Sequence, residues 1–339
     1  MKKYSAILLA LTILVNLPSS VRAEANLCSA VLAGRAVVSE QPKVPQAKYF
    51  KDISWLLKNS RPEIRKMLSK INNELGTDIE IAQALSFLAG VESFEFGHLK
   101  NIQRIDNAVI YGSTNVPLYT LIAQVFLTAS FSNHVWVRTP EATRDIYVQL
   151  FELFKSYLPK SYTDNIHLIT DPSDLSYDMF NRIYVMGLNR NGNKVVRPPS
   201  EVVILTGSPD TARTMIERNV RNLQKVSNEN AGRKQLFLGF LAGVNPAVVV
   251  PSAKYNLKEV VDNLTYPFLI NGGQDCMNSD VVFAHSEITK DLTRQLLEKF
   301  KNIKMTNNSD REWGITPLTM TKSFDKLSAY REKIGRAHV

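Results

Sequence analysis

The segment Asn271-Gly272-Gly273-Gln274-Asp275-Cys276 delivers one of the chain's two cysteines from a glycine-rich turn. Residues without a Cβ let backbone amides come close to a substrate oxygen, while the thiol beyond them can project into a cleft. An ionised thiol in such a setting is a nucleophile that can bond to a carbonyl carbon. A buried, inert thiol is the commoner state of a free cysteine, and this segment alone does not separate the two. Other chemistries leave no trace in the sequence. It has no Gly-x-Gly-x-x-Gly turn, Gly-x-x-x-x-Gly-Lys loop, His-Glu-x-x-His or Gly-x-Ser-x-Gly, and no clustered His/Cys set, so no metal is expected.

A thiol is aimed only by the elements around its turn. From residue 106 onward, short β runs alternate with longer helical runs. Strands are expected at Ala108–Tyr111, Val135–Val137, Ile166–Ile169, Val202–Leu205, Leu236–Leu238 and Ala247–Val250. Helices are expected at Leu118–Phe131, Glu141–Tyr157, Met179–Leu188 and Thr211–Leu223, with Arg190–Ser200 and Asn222–Lys234 as loops. After Pro251 the pattern gives a helix Leu257–Phe268, the glycine turn, a strand Val281–Phe283 and a helix Glu287–Phe300. Repeated β-α-β units predict an α/β fold: a Rossmann-like parallel-sheet domain over 106–246, then the start of a second α/β domain over 247–333 that bears Cys276. Residues 24–105 read as amphipathic helices with no chemistry of their own. His134 and His167 read as core or edge histidines of strands.

The two ends read differently. Lys2 and Lys3, the apolar run Ala6–Val15, Pro18 and the small-x-small ending Val21-Arg22-Ala23 make residues 1–23 a signal peptide, removed on export to a periplasmic or secreted location. Without a working signal the protein would stay cytoplasmic. No later apolar stretch is expected to span a membrane. Residues 334–339, Ile-Gly-Arg-Ala-His-Val, read as one frame of a sequencing adapter, which makes the chain a fragment of a longer protein. Lys2, Lys3, Arg22 and Arg336 supply four of the nine surplus positive charges. The remaining Lys and Arg are scattered, and no nucleic-acid face is expected.

Several blocks in order resemble the aldehyde dehydrogenase superfamily. Asn271 to Cys276 is similar to its catalytic cysteine segment, flanked by Asn245-Pro246-Ala247-Val248-Val249-Val250 and Val281-Val282-Phe283-Ala284-His285. Thr114-Asn115-Val116-Pro117-Leu118 resembles its Asn-Phe-Pro segment. Val135-Trp136-Val137-Arg138-Thr139-Pro140-Glu141 resembles its Val-Val-Lys-Pro-Ser-Glu strand end, and Leu205-Thr206-Gly207-Ser208 its Phe-Thr-Gly-Ser turn.

The resemblance implies roles. Cys276 would be the nucleophile and Asn115 an oxyanion donor, both catalytic. Arg138 would stand for a ribose-contacting lysine and Glu141 for the carboxylate on ribose hydroxyls, favouring NAD over NADP. Gly207 and Ser208 would open a helix facing the pyrophosphate. Without the resemblance, Asn115 is a turn residue before Pro117, and Arg138 and Glu141 are a solvated helix cap. It also implies an aldehyde or acyl-CoA as small-molecule partner, with room for a homo-oligomer.

The sequence departs from the family's pattern in two blocks. Phe240-Leu241-Ala242-Gly243-Val244 stands where the family has Glu-Leu-Gly-Gly-Lys, so Phe240 replaces the general base. The later Glu-x-Phe-Gly-Pro segment is absent. Loss of the base is consistent with transfer of the acyl group to coenzyme A. It is equally consistent with an exported, catalytically impaired homologue that has a binding or structural role. Export adds that Cys276 could be lost to a disulfide, with Cys28 as its partner.

Overall fold

The run Ala108-Val109-Ile110-Tyr111 is apolar at every position, which suits a strand buried on both faces of a parallel sheet. In the computed structural model it forms the second half of β1 (Ile105–Tyr111), the central strand of a five-stranded sheet. The structure describes residues 47–93, 105–226, 235–241, 245–273, 278–305, 314–315 and 328–329. The segment 1–23, Cys28, His98, residues 242–244, Cys276 and residues 334–339 lie outside the described residues.

The other strands of this sheet are β2 (Ser132–Arg138), β3 (Ile166–Ile169), β4 (Val202–Gly207) and β5 (Leu236–Leu241). Their order is β3-β2-β1-β4-β5, and every neighbouring pair is parallel. Ile110 is held between Val137 on one side and Ile204 on the other. The chain therefore runs outward from β1 to β3, then crosses to the other side for β4 and β5. That reversal leaves a crevice at the carboxyl ends of β1 and β4, where open α/β sheets bind ligands.

Helices cover both faces. On one side lie α1 (Ala47–Asn59), α2 (Arg61–Leu68), α3 (Glu74–Ser93), α4 (residues 117–129) and α5 (Arg144–Tyr157). Phe50, Leu56, Ile64 and Ile81 from the first three share a buried core with Ala108, Ile110, Val135, Val137 and Phe154. The amino-terminal helices thus complete the sheet's core, because without them this apolar face would meet water. α4 begins Pro117–Thr120, widens to a π-helix over Leu121–Phe126 and ends Leu127–Ala129. A short helix, α6 (Lys160–Thr163), precedes β3.

The opposite face is covered by α7 (Tyr177–Phe180), continued as a π-helix over Asn181–Val185, and by α8 (Pro209–Val226). Phe180, Val185, Ala212 and Met215 pack there against Val109, Tyr111, Val203 and Leu205. His134 is exposed on β2 and stands 3.2 Å, Nδ1 to Nε2, from half-buried His167 on β3.

A second, two-stranded parallel sheet pairs β6 (Pro246–Val249) with β7 (Val281–Ala284). Val249 packs with Val261 and Leu264 of α9 (Leu257–Thr265) and with Ile288 and Leu292 of α10 (Ser286–Lys301). Among the described residues, no helix is long and apolar enough to cross a membrane.

Several boundaries differ from the sequence reading, and two of the differences have a plain cause. α8 continues to Val226, so the first residues of the expected loop Asn222–Lys234 are helical. Nothing in Asn222-Leu223-Gln224-Lys225-Val226 breaks a helix. The helix expected to reach Phe268 gives way after Thr265 to a 3₁₀ turn, Tyr266–Gly273. Pro267 lacks the N–H that the α-helical ladder needs.

Candidate active site

The carboxyl end of β1 leads into a turn that is held from several directions. The Gly112 amide donates to the carbonyl of Arg138 at 3.0 Å. A Cβ on Gly112 would lie 2.9 Å from the Tyr147 hydroxyl oxygen and 3.1 Å from the Arg138 carbonyl oxygen, so only glycine fits without displacement. The Tyr147 hydroxyl donates to the Ser113 carbonyl at 3.0 Å, and the Ser113 and Thr120 hydroxyls share a 2.6 Å hydrogen bond. Burial pushes the Tyr147 phenol far above its ordinary range, so it serves as a neutral donor. Asn115 sits partly exposed in this turn, two residues before Pro117 opens α4.

At the end of β2, Arg138 is fixed in place. Its Nε donates to the Leu175 carbonyl at 2.7 Å, and its guanidinium carbon lies 4.2 Å from the centre of the Tyr177 ring. Tyr177 stacks in turn on Tyr111 at 5.7 Å and 8°. The result is a guanidinium–phenol–phenol stack across the carboxyl ends of β1 and β2. The Tyr111 hydroxyl is buried with no hydrogen-bond partner among the described residues. Burial holds that phenol protonated. Thr139 Oγ1 donates to the Ile169 carbonyl at 2.8 Å and ties the end of β2 to that of β3. Glu141 follows Pro140 and is exposed at the start of a 3₁₀ turn, Glu141–Thr143, whose last residue is buried.

β4 ends at Gly207, which is exposed; a Cβ there would come no closer than 3.7 Å to the Leu205 side chain. The Ser208 hydroxyl accepts from the Thr211 amide at 3.2 Å and lies 2.9 Å from Thr211 Oγ1, so it caps α8. Gln124 Nε2 donates to Thr206 Oγ1 at 2.8 Å and braces α4 against β4. Phe240 pairs with Thr206 across β4 and β5, with its side chain exposed.

Cys276 itself lies outside the described residues, but its flanks are described. Gly273 adopts φ +78°, a left-handed conformation that favours glycine. Asn278 Nδ2 donates to the Gly273 carbonyl at 2.6 Å, and Asn245 Nδ2 donates to the Asn278 carbonyl at 3.1 Å. The two ends of the cysteine segment are thereby clasped together and anchored to the start of β6. Asn115, Arg138, Glu141, Gly207 and Ser208 all fall on the carboxyl edge of the five-stranded sheet.

The sequence model of the aldehyde dehydrogenase family matches residues 109–338, more than half of the chain. The chain belongs to the aldehyde dehydrogenase family. A Staphylococcus saprophyticus protein named for aldehyde dehydrogenase activity is 23% identical over 288 residues, covering 79% of this chain and 53% of the relative. The chain thus spans about half the length of that relative. Among solved structures, an NAD-dependent benzaldehyde dehydrogenase from Corynebacterium glutamicum superposes with a TM-score of 0.67 at 17% identity, covering 88% of this chain and 62% of that one. A glyceraldehyde-3-phosphate dehydrogenase from Methanocaldococcus jannaschii, complexed with NADP, gives 0.63 at 17% identity, covering 88% and 63%. These likenesses show a shared aldehyde dehydrogenase fold.

One polar residue of the site's surroundings was missed in the sequence. Glu80 of α3, 2% exposed, reaches the first turn of α4 and accepts from the Leu118 and Tyr119 amides at 2.8 and 3.1 Å. Its signal was a carboxylate set between Ile79 and Ile81, a charge on a face that has to be buried.

Proposed function

We propose that the carboxyl edge of the five-stranded sheet binds a nicotinamide dinucleotide and that the protein oxidises an aldehyde through a thioester on Cys276. The observation that carries this reading is the convergence of Asn115, Arg138, Glu141 and Gly207–Ser208 on one edge, beside the β1/β4 switch point. The residues fit such a ligand. Gly207 leaves the strand end open, and the first-turn amides of α8 favour a phosphate there. The Arg138 Nη atoms make no hydrogen bond among the described residues, and Glu141, three residues further along the chain, is exposed and can accept from ribose hydroxyls. A carboxylate at that point repels a 2′-phosphate and favours NAD over NADP.

The bound nicotinamide supplies the hydride acceptor. Cys276, as thiolate, adds its sulfur to the aldehyde carbon, and the carbonyl oxygen takes up the negative charge. The Asn115 side-chain amide and the Cys276 backbone amide donate to that oxygen; one such donor contributes on the order of 3 kcal/mol in other enzymes. Loss of the aldehyde hydrogen as hydride then leaves a thioester. Phe240 cannot activate water, so the acyl group passes to the thiol of coenzyme A, which restores Cys276. Phe240 also favours a second reading, a catalytically impaired homologue that retains only binding. With residues 1–23 acting as a signal peptide, either form is exported.

Calorimetry with NAD, and an aldehyde panel assayed for NAD reduction with and without coenzyme A, test the proposal. Coenzyme A-dependent turnover is expected. NAD binding without turnover would select the impaired homologue, and no binding at all would end both readings of the edge. Mass spectrometry after brief treatment with a thiol-reactive aldehyde analogue should find Cys276 labelled ahead of Cys28. Equal labelling would argue against an activated nucleophile.

A further inference from the structure

Helix α4 starts with a deficit. Its first amides have no partner within the helix. Its N-cap residue is Val116, whose side chain cannot accept, and Pro117 brings no N–H. The acceptor comes instead from 38 residues earlier in the chain. Glu80 Oε1 receives the Leu118 amide at 2.8 Å, while its Oε2 lies 3.5 Å from Asn72 Nδ2. A carboxylate that bonds two amides at a helix N-terminus is doubly favoured, by charge-assisted hydrogen bonds and by the helix dipole. Together with Gly112 on the Arg138 carbonyl and Tyr147 on the Ser113 carbonyl, it leaves the turn 112–117 little freedom.

We infer that Glu80 is a positioning residue for Asn115: its buried carboxylate fixes the first turn of α4 and so sets where the Asn115 side-chain amide meets the developing oxyanion. The inference rests on the aldehyde-oxidising reading of the site. It also gives the amino-terminal helices a share in that site, since α3 supplies the cap that the local sequence lacks.

The test is a double-mutant cycle between Glu80→Gln and Asn115→Ala in the full chain. Gln keeps the shape but loses the charge, and Glu80→Asp is the second variant should Gln fail to fold by circular dichroism. In the wild-type background, kcat is expected to fall by about ten- to a hundredfold with the KM for NAD unchanged. In the Asn115→Ala background, Glu80→Gln should have no further effect, because the group it positions is gone. An equal loss in both backgrounds, or no loss in the first, would overturn the inference. Adding Val116→Asp should restore kcat by supplying a local cap. If the wild type turns over no aldehyde, the reading of the site fails separately, and NMR still decides the positioning. The Asn115 side-chain amide resonances should move in Glu80→Gln and recover with Val116→Asp; unmoved resonances would refute it.

Discussion

The Gly112 amide and the Arg138 carbonyl are joined at 3.0 Å, so the turn that carries Asn115 and the strand end that carries Arg138 are one unit. Gly112→Ala should separate them. Its Cβ would press on the backbone oxygen of Arg138 and on the buried phenol of Tyr147, neither of which can retreat easily. A loss of about 1–3 kcal/mol is expected, read from the urea midpoint at constant slope. An unchanged midpoint would mean that the turn is softer than its hydrogen bonds indicate.

Asn115→Ala separates two roles for this residue. As an oxyanion donor its loss lowers kcat by about 10²- to 10³-fold with the KM for NAD unchanged. As a turn residue alone, its loss lowers the thermal midpoint and leaves kcat of the folded fraction intact.

Glu141→Gln addresses cofactor choice. The side chain is exposed, so the loss of NAD affinity should be modest, about three- to tenfold. Affinity for NADP should rise or hold as the repulsion of its 2′-phosphate disappears. Calorimetry with both dinucleotides is the measurement, and parallel losses for both would remove Glu141 from the ribose subsite.

The pair on the sheet edge gives a pH dependence unrelated to catalysis. Burial, His134 and Arg197 hold the His167 imidazole below its ordinary value of 6.5. Arg197 also lies 4.4 Å over the Trp136 ring, and that ring stacks on His167 at 4.2 Å. Between its folded and unfolded values, the unfolded chain binds more protons. Stability is therefore full above the unfolded value and is lost as pH falls below about 6.5 towards the folded one. Denaturant midpoints taken from pH 7.5 to 5.5 should decline, and His167→Gln should flatten the decline. A variant with the same slope would place its origin elsewhere.

The parallel sheet was legible because each strand is a short apolar run bounded by turns, as in Ala108–Tyr111 and Val202–Leu205, and because its helices repeat at 3.6 residues. Positions at strand ends were legible as motifs, and the structure places Asn115, Arg138, Glu141, Gly207 and Ser208 at the carboxyl edge of one sheet, an arrangement that the motifs taken singly do not state. What stayed hidden were contacts made across distance. Val116 is a poor cap when read locally, and nothing nearby announces that Glu80 supplies one. Residues 24–105 held no visible chemistry because the carboxylate there acts on a turn far along the chain. The stack of Arg138 on Tyr177 and Tyr111 was hidden for the same reason, since three separate segments build it.

The widened middle of α4 has its own consequence. The first turn must offer its amides to Glu80, while Phe126 and Ala129 further on must face the core. In an unbroken α-helix these two orientations would be locked in phase, and one residue gained or lost between them would rotate one end against the other. The π segment Leu121–Phe126 takes up such a residue locally. One extra residue in this stretch is thus absorbed where it lies, and the turn before Pro117 keeps its aim.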